Sequence, residues 1–170
     1  MSHKFTINSP AKPGRAGKSR AFWHGSIGAD DFVQIHLFEP NERVQLVKEG
    51  VPARVVVAIS ESMAIPRDRL YTTIGLARAT VNRKVRDKQV LNQDESERVL
   101  GIIRLIGQAL AIVKESGDSK AFDAVKWIAG WLEQPQLALG GKRPAELMDT
   151  AEGRAMVSDH LARMQSGAYA

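Results

Sequence analysis

Residues 91–115 read LNQDESERVLGIIRLIGQALAIVKE, and this stretch decides the fold class. Its apolar side chains recur at spacings of three and four, which is the period of one face of an α-helix; they are Leu91, Val99, Ile102, Ile103, Ile106, Leu110 and Val113. Asn92 and Glu95 have the spacing of a capping box that starts a helix. Gly101 and Gly107 lower helix propensity, so we expect them to allow close packing by neighbouring helices.

The segments before this stretch also indicate helices. Residues 30–38, DDFVQIHLF, favour a short helix over a strand, and proline starts the segments that begin at Pro40, Pro52 and Pro66. The VVVAI run at residues 55–59 fits a buried strand by itself. The alanine content and the later polar residues of this segment favour a helix.

Two further helices are expected after residue 116. The segment KAFDAVKWIAGWLEQ places one set of apolar residues on one side: Phe122, Val125, Ile128, Trp131 and Leu132. Trp127 lies four residues before Trp131, which fits either a core stripe or an anchor that faces a partner. Asp149 and Glu152 form a second capping-box pattern before a helix that carries Val157, Leu161 and Met164. The chain is therefore predicted to be all-α.

Composition limits the classes of protein to consider. The 170 residues are 44% hydrophobic and include no cysteine, which excludes disulfides, thiolate catalysis and cysteine-based zinc sites. The sequence has no apolar run of about 18 residues, the length that a membrane span needs. It also has no hydrophobic stretch of the kind that follows the basic start of a secretory signal. We therefore expect a cytoplasmic protein.

The formal net charge of +5 is unevenly distributed. Residues 1–29 carry five bases and no acid, and residues 65–90 carry seven bases against two acids. Both clusters suit a polyanion such as nucleic acid. Residues 1–25 have no apolar period, so we predict a disordered basic arm, for which simple solubilisation is an equal alternative.

The second basic cluster has the plan of a helix-turn-helix. In IPRDRLYTTIGLARATVNRKVRDK, residues 65–88, Leu70 and Ile74 pack the first helix and Gly75 provides the turn. Arginine bonds guanine and asparagine bonds adenine in the major groove, while lysine contacts phosphate. The predicted DNA-binding residues on the second helix are Arg78, Thr80, Asn82, Arg83, Lys84 and Arg86. The alternative is a basic face that only solvates the domain.

Catalytic patterns are weak. A phosphate-binding loop needs a serine or threonine after its lysine, but Arg143 follows Lys142. The two glycines before Lys142 and the proline after Arg143 fit a turn that leads into a short helix. The four histidines, His3, His24, His36 and His160, lack metal-ligand spacing. We expect no cofactor, no metal and no enzyme; phosphate chemistry by Lys142 and Arg143 is the remaining enzymatic alternative.

The C-terminal residues resemble a known family. The matching features, together with the LNQDESERV helix start and Arg98, are Trp131-Leu132, Pro135, Leu139-Gly140, the turn at residues 144–147, Asp149-Thr150, Gly153-Arg154, Val157 and Gly167-Ala168-Tyr169. They resemble the Xre-type antitoxins that partner RES-domain toxins. The resemblance covers about residues 40–170 and leaves the basic arm outside it.

The resemblance implies a type II antitoxin with a Cro/Xre-like helix-turn-helix and a small helical toxin-binding domain. RES toxins are similar to ADP-ribosyltransferases in fold and deplete NAD. The antitoxin would cover the toxin's cleft with its last helix and tail, and would bind operator DNA as a homodimer or in a larger complex with the toxin. The expected toxin-binding residues are Lys142, Arg143, Arg154, His160, Arg163, Tyr169 and Ala170.

Tyr169 is an aromatic anchor of the kind found at interface hot spots, and the Ala170 carboxylate would pair with cationic groups that hold NAD phosphates. Simple fraying of the tail is the alternative. We expect three regions: a basic arm at 1–25, a DNA-binding and dimerisation domain at 26–116, and a toxin-binding domain at 117–170. A transcription regulator with no toxin partner is the alternative function.

Overall fold

The computed structural model describes residues 22–23, 27–117 and 122–167. Eight α-helices and two short 3-10 turns make up the regular structure of this part of the chain, which confirms the all-α prediction. The helices are α1 Ala29–Leu37, α2 Pro40–Glu49, α3 Arg54–Ser62, α4 Arg67–Thr73, α5 Arg78–Arg86, α6 Gln93–Glu115, α7 Ala124–Trp131 and α8 Ala151–Gln165. The 3-10 turns are Leu137–Leu139 and Pro144–Glu146, both between α7 and α8.

Helix α6 is the centre of the molecule. It packs against α1, α2, α7 and α8, and its Ile102, Ile103 and Ile106 side chains are fully buried. Gly107 provides the close approach to α1 that its lack of a side chain predicts, since a Cβ atom there would lie 2.2 Å from the Phe32 carbonyl oxygen. One apolar core therefore joins the N-terminal and C-terminal helices through α6.

The start of α6 is the predicted capping box. The Asn92 side chain accepts a hydrogen bond from the Glu95 backbone N–H at 2.8 Å, and the Glu95 carboxylate accepts one from the Asn92 N–H at 2.8 Å. Two of the backbone donors that a helix start leaves open are satisfied in this way. The position at which the central helix begins is thus encoded locally.

The helix-turn-helix consists of α4, a turn and α5. Leu70 and Ile74 are fully buried on the α4 side and Val81 on the α5 side. Gly75 has φ +67°, the left-handed conformation that the sequence predicted for this turn. These buried side chains fix the orientation of α5, so that its opposite face is exposed to solvent.

The structure differs from the sequence prediction at three helix starts. The segment at residues 52–64 becomes helical at Arg54, since Pro52 instead pairs with Val90 in an isolated antiparallel bridge. Helix α7 begins at Ala124 with Asp123 as its cap, so Phe122 precedes the helix and is exposed. The cap of α8 is Thr150, whose hydroxyl accepts from the Gly153 N–H at 3.0 Å, and not Asp149.

None of the helices within 22–23, 27–117 and 122–167 combines the length and the apolar character needed to cross a bilayer.

Candidate functional site

The outer face of α5 carries three of the predicted DNA-binding residues as exposed cations. The Arg78 guanidinium lies 3.0 Å from the Asp68 carboxylate, and that of Arg86 lies 3.1 Å from the Asp87 carboxylate. Arg83 donates to the Gln89 side-chain oxygen at a long 3.4 Å. Exposed ion pairs of this kind contribute little to stability, so these guanidinium groups are available to exchange partners.

Two other predicted DNA-binding residues have contacts within the fold. The Asn82 side-chain oxygen accepts a hydrogen bond from the Tyr71 hydroxyl at 2.9 Å, which joins α5 to α4. The Lys84 ammonium lies 2.5 Å from the Glu95 carboxylate, and both side chains are largely buried. Lys84 therefore links α5 to the cap of α6 in this structure. Thr80 is half-buried on α5.

Two cations of the basic cluster at residues 65–90 lie on the neighbouring helix and were not among the predicted DNA-binding residues. Arg67 and Arg69 on α4 are both exposed. Arg67 lies 3.7 Å from the Glu61 carboxylate on α3. The basic surface of the helix-turn-helix thus includes α4 as well as α5, and the clustering of arginines at residues 67–86 was the available signal.

The segment Gly140–Arg143 forms the turn that the sequence favoured over a phosphate loop. Gly140 and Gly141 have φ +68° and +75°, and the Gly141 N–H donates to the Gln136 carbonyl at 3.0 Å. The Arg143 guanidinium donates to Glu146 at 2.9 Å and to Glu133 at 3.2 Å. Its hydrogen bond to Glu146 is the main reason that the pKa of Arg143 is raised.

Arg143 thus stabilises the turn through its contacts with Glu146 and Glu133, whereas Lys142 is exposed beside it. The predicted toxin contact by either residue stays a prediction.

His160 on α8 is part of the core. Its ring stacks on Trp131 with centroids 5.8 Å apart, and its Nε2 lies 3.2 Å from the Gln136 side-chain oxygen. Burial, followed by the charge of Arg163, lowers the pKa of His160. The imidazole is therefore mostly neutral at pH 7 and holds α8 against α7 and the turn.

Arg154 and Arg98 fix the start of α8. The Arg154 side chain lies across Gly101 of α6, where a Cβ atom would be 2.3 Å from its Cδ, and donates to the Met148 carbonyl at 3.2 Å. Arg98 Nη1 donates to the Asp149 carbonyl at 2.9 Å and to the Gly75 carbonyl at 3.3 Å. One guanidinium therefore contacts both the turn of the helix-turn-helix and the chain just before α8.

The remaining predicted toxin-binding residues lie at or beyond the end of α8. Arg163 is exposed, and no ion pair joins it to any residue of the described ranges. Tyr169 and Ala170 lie outside the described residues.

An apolar groove that the sequence did not predict lies near that end. Its volume is about 300 Å³, and its lining includes Phe122, Trp127, Ile112, Leu161 and Met164. Phe122 and Met164 are exposed, although periodicity assigned both of them to buried faces. The Phe122 ring lies against that of Trp127 at a tilt of 51°, and Trp127 stacks on Trp131 with ring centroids 6.0 Å apart.

Leu137, at the tip of the first 3-10 turn, is 96% exposed. Exposed apolar clusters such as the one formed by Phe122, Trp127 and Met164 are typical of protein-binding surfaces.

Comparison with known proteins identifies the family of this chain. Residues 42–104 match the antitoxin Xre-like helix-turn-helix domain, and residues 120–167 match the antitoxin Xre/MbcA/ParS C-terminal toxin-binding domain. The "Prs ADP-ribosylating antitoxin" of Sphingobium sp. is 42% identical over 77% of this chain and 82% of its own length. This chain belongs to the Xre-type antitoxins.

Two more distant members carry the name "Antitoxin Xre". The protein of Yersinia enterocolitica is 25% identical over 92% of this chain and 96% of its own length. That of Photorhabdus laumondii is 22% identical over 72% of this chain and 77% of its own length.

The chain is thus an antitoxin of a toxin–antitoxin system, with a helix-turn-helix and a toxin-binding domain. The turn at Gly140–Arg143 lies within the region that matches the toxin-binding domain. That region also supplies Phe122, Trp127, Leu161 and Met164 to the apolar groove, whereas Ile112 comes from α6.

Proposed function

We propose that this antitoxin neutralises a RES-domain, NAD-depleting toxin by covering the toxin's active-site cleft with α8 and the residues that follow it. We further propose that it represses its own operon through α4 and α5, as a homodimer or within a larger complex with the toxin. The alternative of a regulator with no toxin partner gives no role to the toxin-binding domain at residues 120–167.

The observation that carries the proposal is the apolar groove beside the C-terminal end of α8. Phe122, Trp127 and Met164 expose aromatic and thioether surface there, and such side chains are enriched at the centres of protein interfaces. Arg163 adds an exposed cation on the same last turns of the helix. A toxin that packs on this groove would contact the last turns of α8, and Tyr169 and Ala170 follow that helix in sequence.

The class of toxin is supported by the Sphingobium relative. Its name refers to ADP-ribosylation, a reaction that uses NAD as the donor. Among the residues predicted to touch the toxin, Arg163, Lys142 and Arg143 are exposed, and Arg143 pairs with Glu133 and Glu146. Arg143, Arg154 and His160 serve the fold, so we assign them the role of holding the toxin-binding surface in shape.

The DNA-binding role is supported by the exposed cations of α5 and α4. Arg78, Arg83 and Arg86 are held only by exposed polar contacts, and a phosphate or a base edge would replace these without loss of packing. Asn82 would contact DNA through its amide NH2, because Tyr71 occupies its oxygen.

The test of toxin binding compares two methionines of α8. Met164→Glu places a charge in the apolar groove, whereas Met156→Glu places it at a similarly exposed position outside the groove lining. The RES-domain protein encoded in the neighbouring reading frame would be co-expressed with each variant and co-purified. We expect Met164→Glu to lose the toxin and Met156→Glu to retain it. Equal retention by both variants would remove the groove from the proposed interface.

A further inference from the structure

A second groove lies between α2 and α8, with α6 as its floor. Its volume is about 610 Å³. Each helix contributes apolar or small residues to it: Val44 and Val47 from α2, Leu100 and Leu105 from α6, and Ala151 and Ala155 from α8. The floor extends from Gln93 to Leu105, which is about 18 Å of helix and equals roughly three helical turns.

The groove has an excess of positive charge. Arg154 lies 3.8 Å from Glu97, so this pair is balanced, and Asp159 is the other acid of the lining. Arg43, Lys48 and Arg104 are also in the lining. No ion pair connects any of these three to a carboxylate in the parts of the chain that the structure describes. The lining therefore has three bases that face one acid.

Two of these bases repel each other. Burial and the nearby charge of Arg43 lower the pKa of Arg104, and both arginines contribute to the lowered pKa of His36 after its own burial. Arg43 donates to the Phe38 carbonyl, while Arg104 makes no side-chain hydrogen bond within the described ranges. Like charges held together with no acid between them favour a ligand that carries negative charge.

The walls of the groove are fixed before any ligand arrives. Besides the contacts of Arg98 and Arg154, the Ser158 hydroxyl donates to the Gln108 side-chain oxygen at 2.7 Å, and the Gln108 amide donates to the Ser158 carbonyl at 3.0 Å. These bonds hold α8 on α6 along the groove. A preformed surface loses little entropy when it binds a partner.

We propose that this groove is a second toxin-docking surface, which accepts an acidic amphipathic helix of the toxin. The inference rests on the proposed function and adds a site distinct from the apolar groove at Phe122, Trp127 and Met164. The length of the groove, its apolar floor and its small residues on α8 fit the helix-in-groove mode of recognition, in which apolar residues at helical spacing pack against the floor. The carboxylates of the incoming helix would pair with Arg43, Lys48 and Arg104.

The chain's own basic arm does not fit this groove. Residues 1–29 carry Lys4, Lys12, Arg15, Lys18 and Arg20 with no acid, so they would add positive charge to a surface that already has too much. An acidic segment of another protein relieves the repulsion.

The test reverses one charge in the groove. Arg104→Glu removes a cation that makes no hydrogen bond, so the thermal midpoint should not fall. Binding of the neighbouring RES-domain protein, measured by titration calorimetry, should weaken at least tenfold. Arg54→Glu on α3 is the matched control, as an exposed arginine outside both grooves, and should change the affinity less than twofold. Unchanged affinity for Arg104→Glu would overturn the proposal.

A second measurement does not depend on any variant. Hydrogen exchange of the wild-type chain should slow in α2 and along residues 93–105 when the toxin binds, and unchanged exchange in α2 would overturn the proposal. If Arg104→Glu changes only the self-association of the antitoxin in sedimentation, the groove belongs to a second copy and the proposal fails. A wild-type chain that does not bind the RES-domain protein at all would instead contradict the proposed function.

Discussion

Arg98 of α6 donates a hydrogen bond to the Asp149 carbonyl at 2.9 Å, although 51 positions separate the two residues in sequence. The same Nη1 donates to the Gly75 carbonyl at 3.3 Å, and Arg98 Nε lies 3.1 Å from the Asp94 carboxylate. The Arg98 side chain thus contacts both the helix-turn-helix and the toxin-binding domain, in addition to the apolar core that they share. The junction predicts that the two parts unfold together.

Replacing Arg98 tests this junction. Arg98→Ala removes a charged donor from two carbonyls, which should lower the free energy of unfolding by about 1–3 kcal/mol. Arg98→Lys has one ammonium group in place of the planar guanidinium and should recover only part of this loss. Urea unfolding followed by circular dichroism and by tryptophan fluorescence checks both. Full stability of Arg98→Ala would show that the bonds contribute nothing.

Gly107 on α6 and Gly130 on α7 allow a controlled test of the close packing between α6 and α1. Gly107→Ala places a Cβ atom 2.2 Å from the Phe32 carbonyl oxygen, whereas Gly130→Ala meets no atom within 4 Å. The first should destabilise the protein by about 1–3 kcal/mol through forced separation of α1 and α6. The second should stabilise it by about 0.5–1 kcal/mol through helix propensity. The thermal midpoints of the two variants measure these effects. Equal midpoints for Gly107→Ala and Gly130→Ala would contradict the close approach of α6 to α1.

Histidine burial predicts an acid-sensitive fold. The pKa values of His160 and His36 are lowered, mainly by burial, so the unfolded chain binds more protons once pH falls below about 6.5, the ordinary histidine value. Stability should therefore be constant above that pH and decline as pH falls from it towards the folded pKa values. His160→Phe keeps a ring beside Trp131 and should reduce the decline between pH 7 and 5, as measured by urea midpoints. An unchanged decline would assign the effect to other groups.

DNA binding should depend on salt through α5. Each phosphate contact contributes about 0.9 to the slope of log affinity against log salt concentration. Arg83→Ala combined with Arg86→Ala should therefore weaken binding to the chain's own promoter and reduce the slope by up to about 2, as measured by fluorescence anisotropy. Lys126→Ala on α7 is the control, because this exposed lysine lies outside the helix-turn-helix. Equal salt slopes for the wild-type chain and the double variant would show that α5 does not face the DNA.

The parts of the fold that depend on local chemistry were predictable from sequence. The capping box of Asn92 and Glu95 and the left-handed turn at Gly75 both follow from residues within a few positions of each other, and the structure confirms both. The period of α6 also identified its buried face. Local signals of this kind need no knowledge of the tertiary structure.

The contacts between distant segments were not predictable. The family resemblance led us to expect toxin contacts by Arg154 and His160, and that expectation stays a prediction. The sequence did not predict that Arg154 approaches Gly101 closely or that His160 stacks on Trp131. Met164 has the spacing of a core residue, yet it is exposed because α8 extends to the edge of the core. Only the packing of α6, α7 and α8 separates these cases, and helical period carries no information about where that packing ends.

NAD consumption by a RES-domain toxin, the partner proposed above, tests the central claim most directly. The full-length antitoxin would be compared with a chain ending at Gly167, which keeps the whole of α8 and lacks only Ala168, Tyr169 and Ala170. The full chain should stop NAD consumption at a stoichiometric ratio, while the shortened chain should still bind the toxin and leave much of its turnover intact. Complete inhibition by the shortened chain at the same ratio would contradict a mechanism in which the tail covers the cleft.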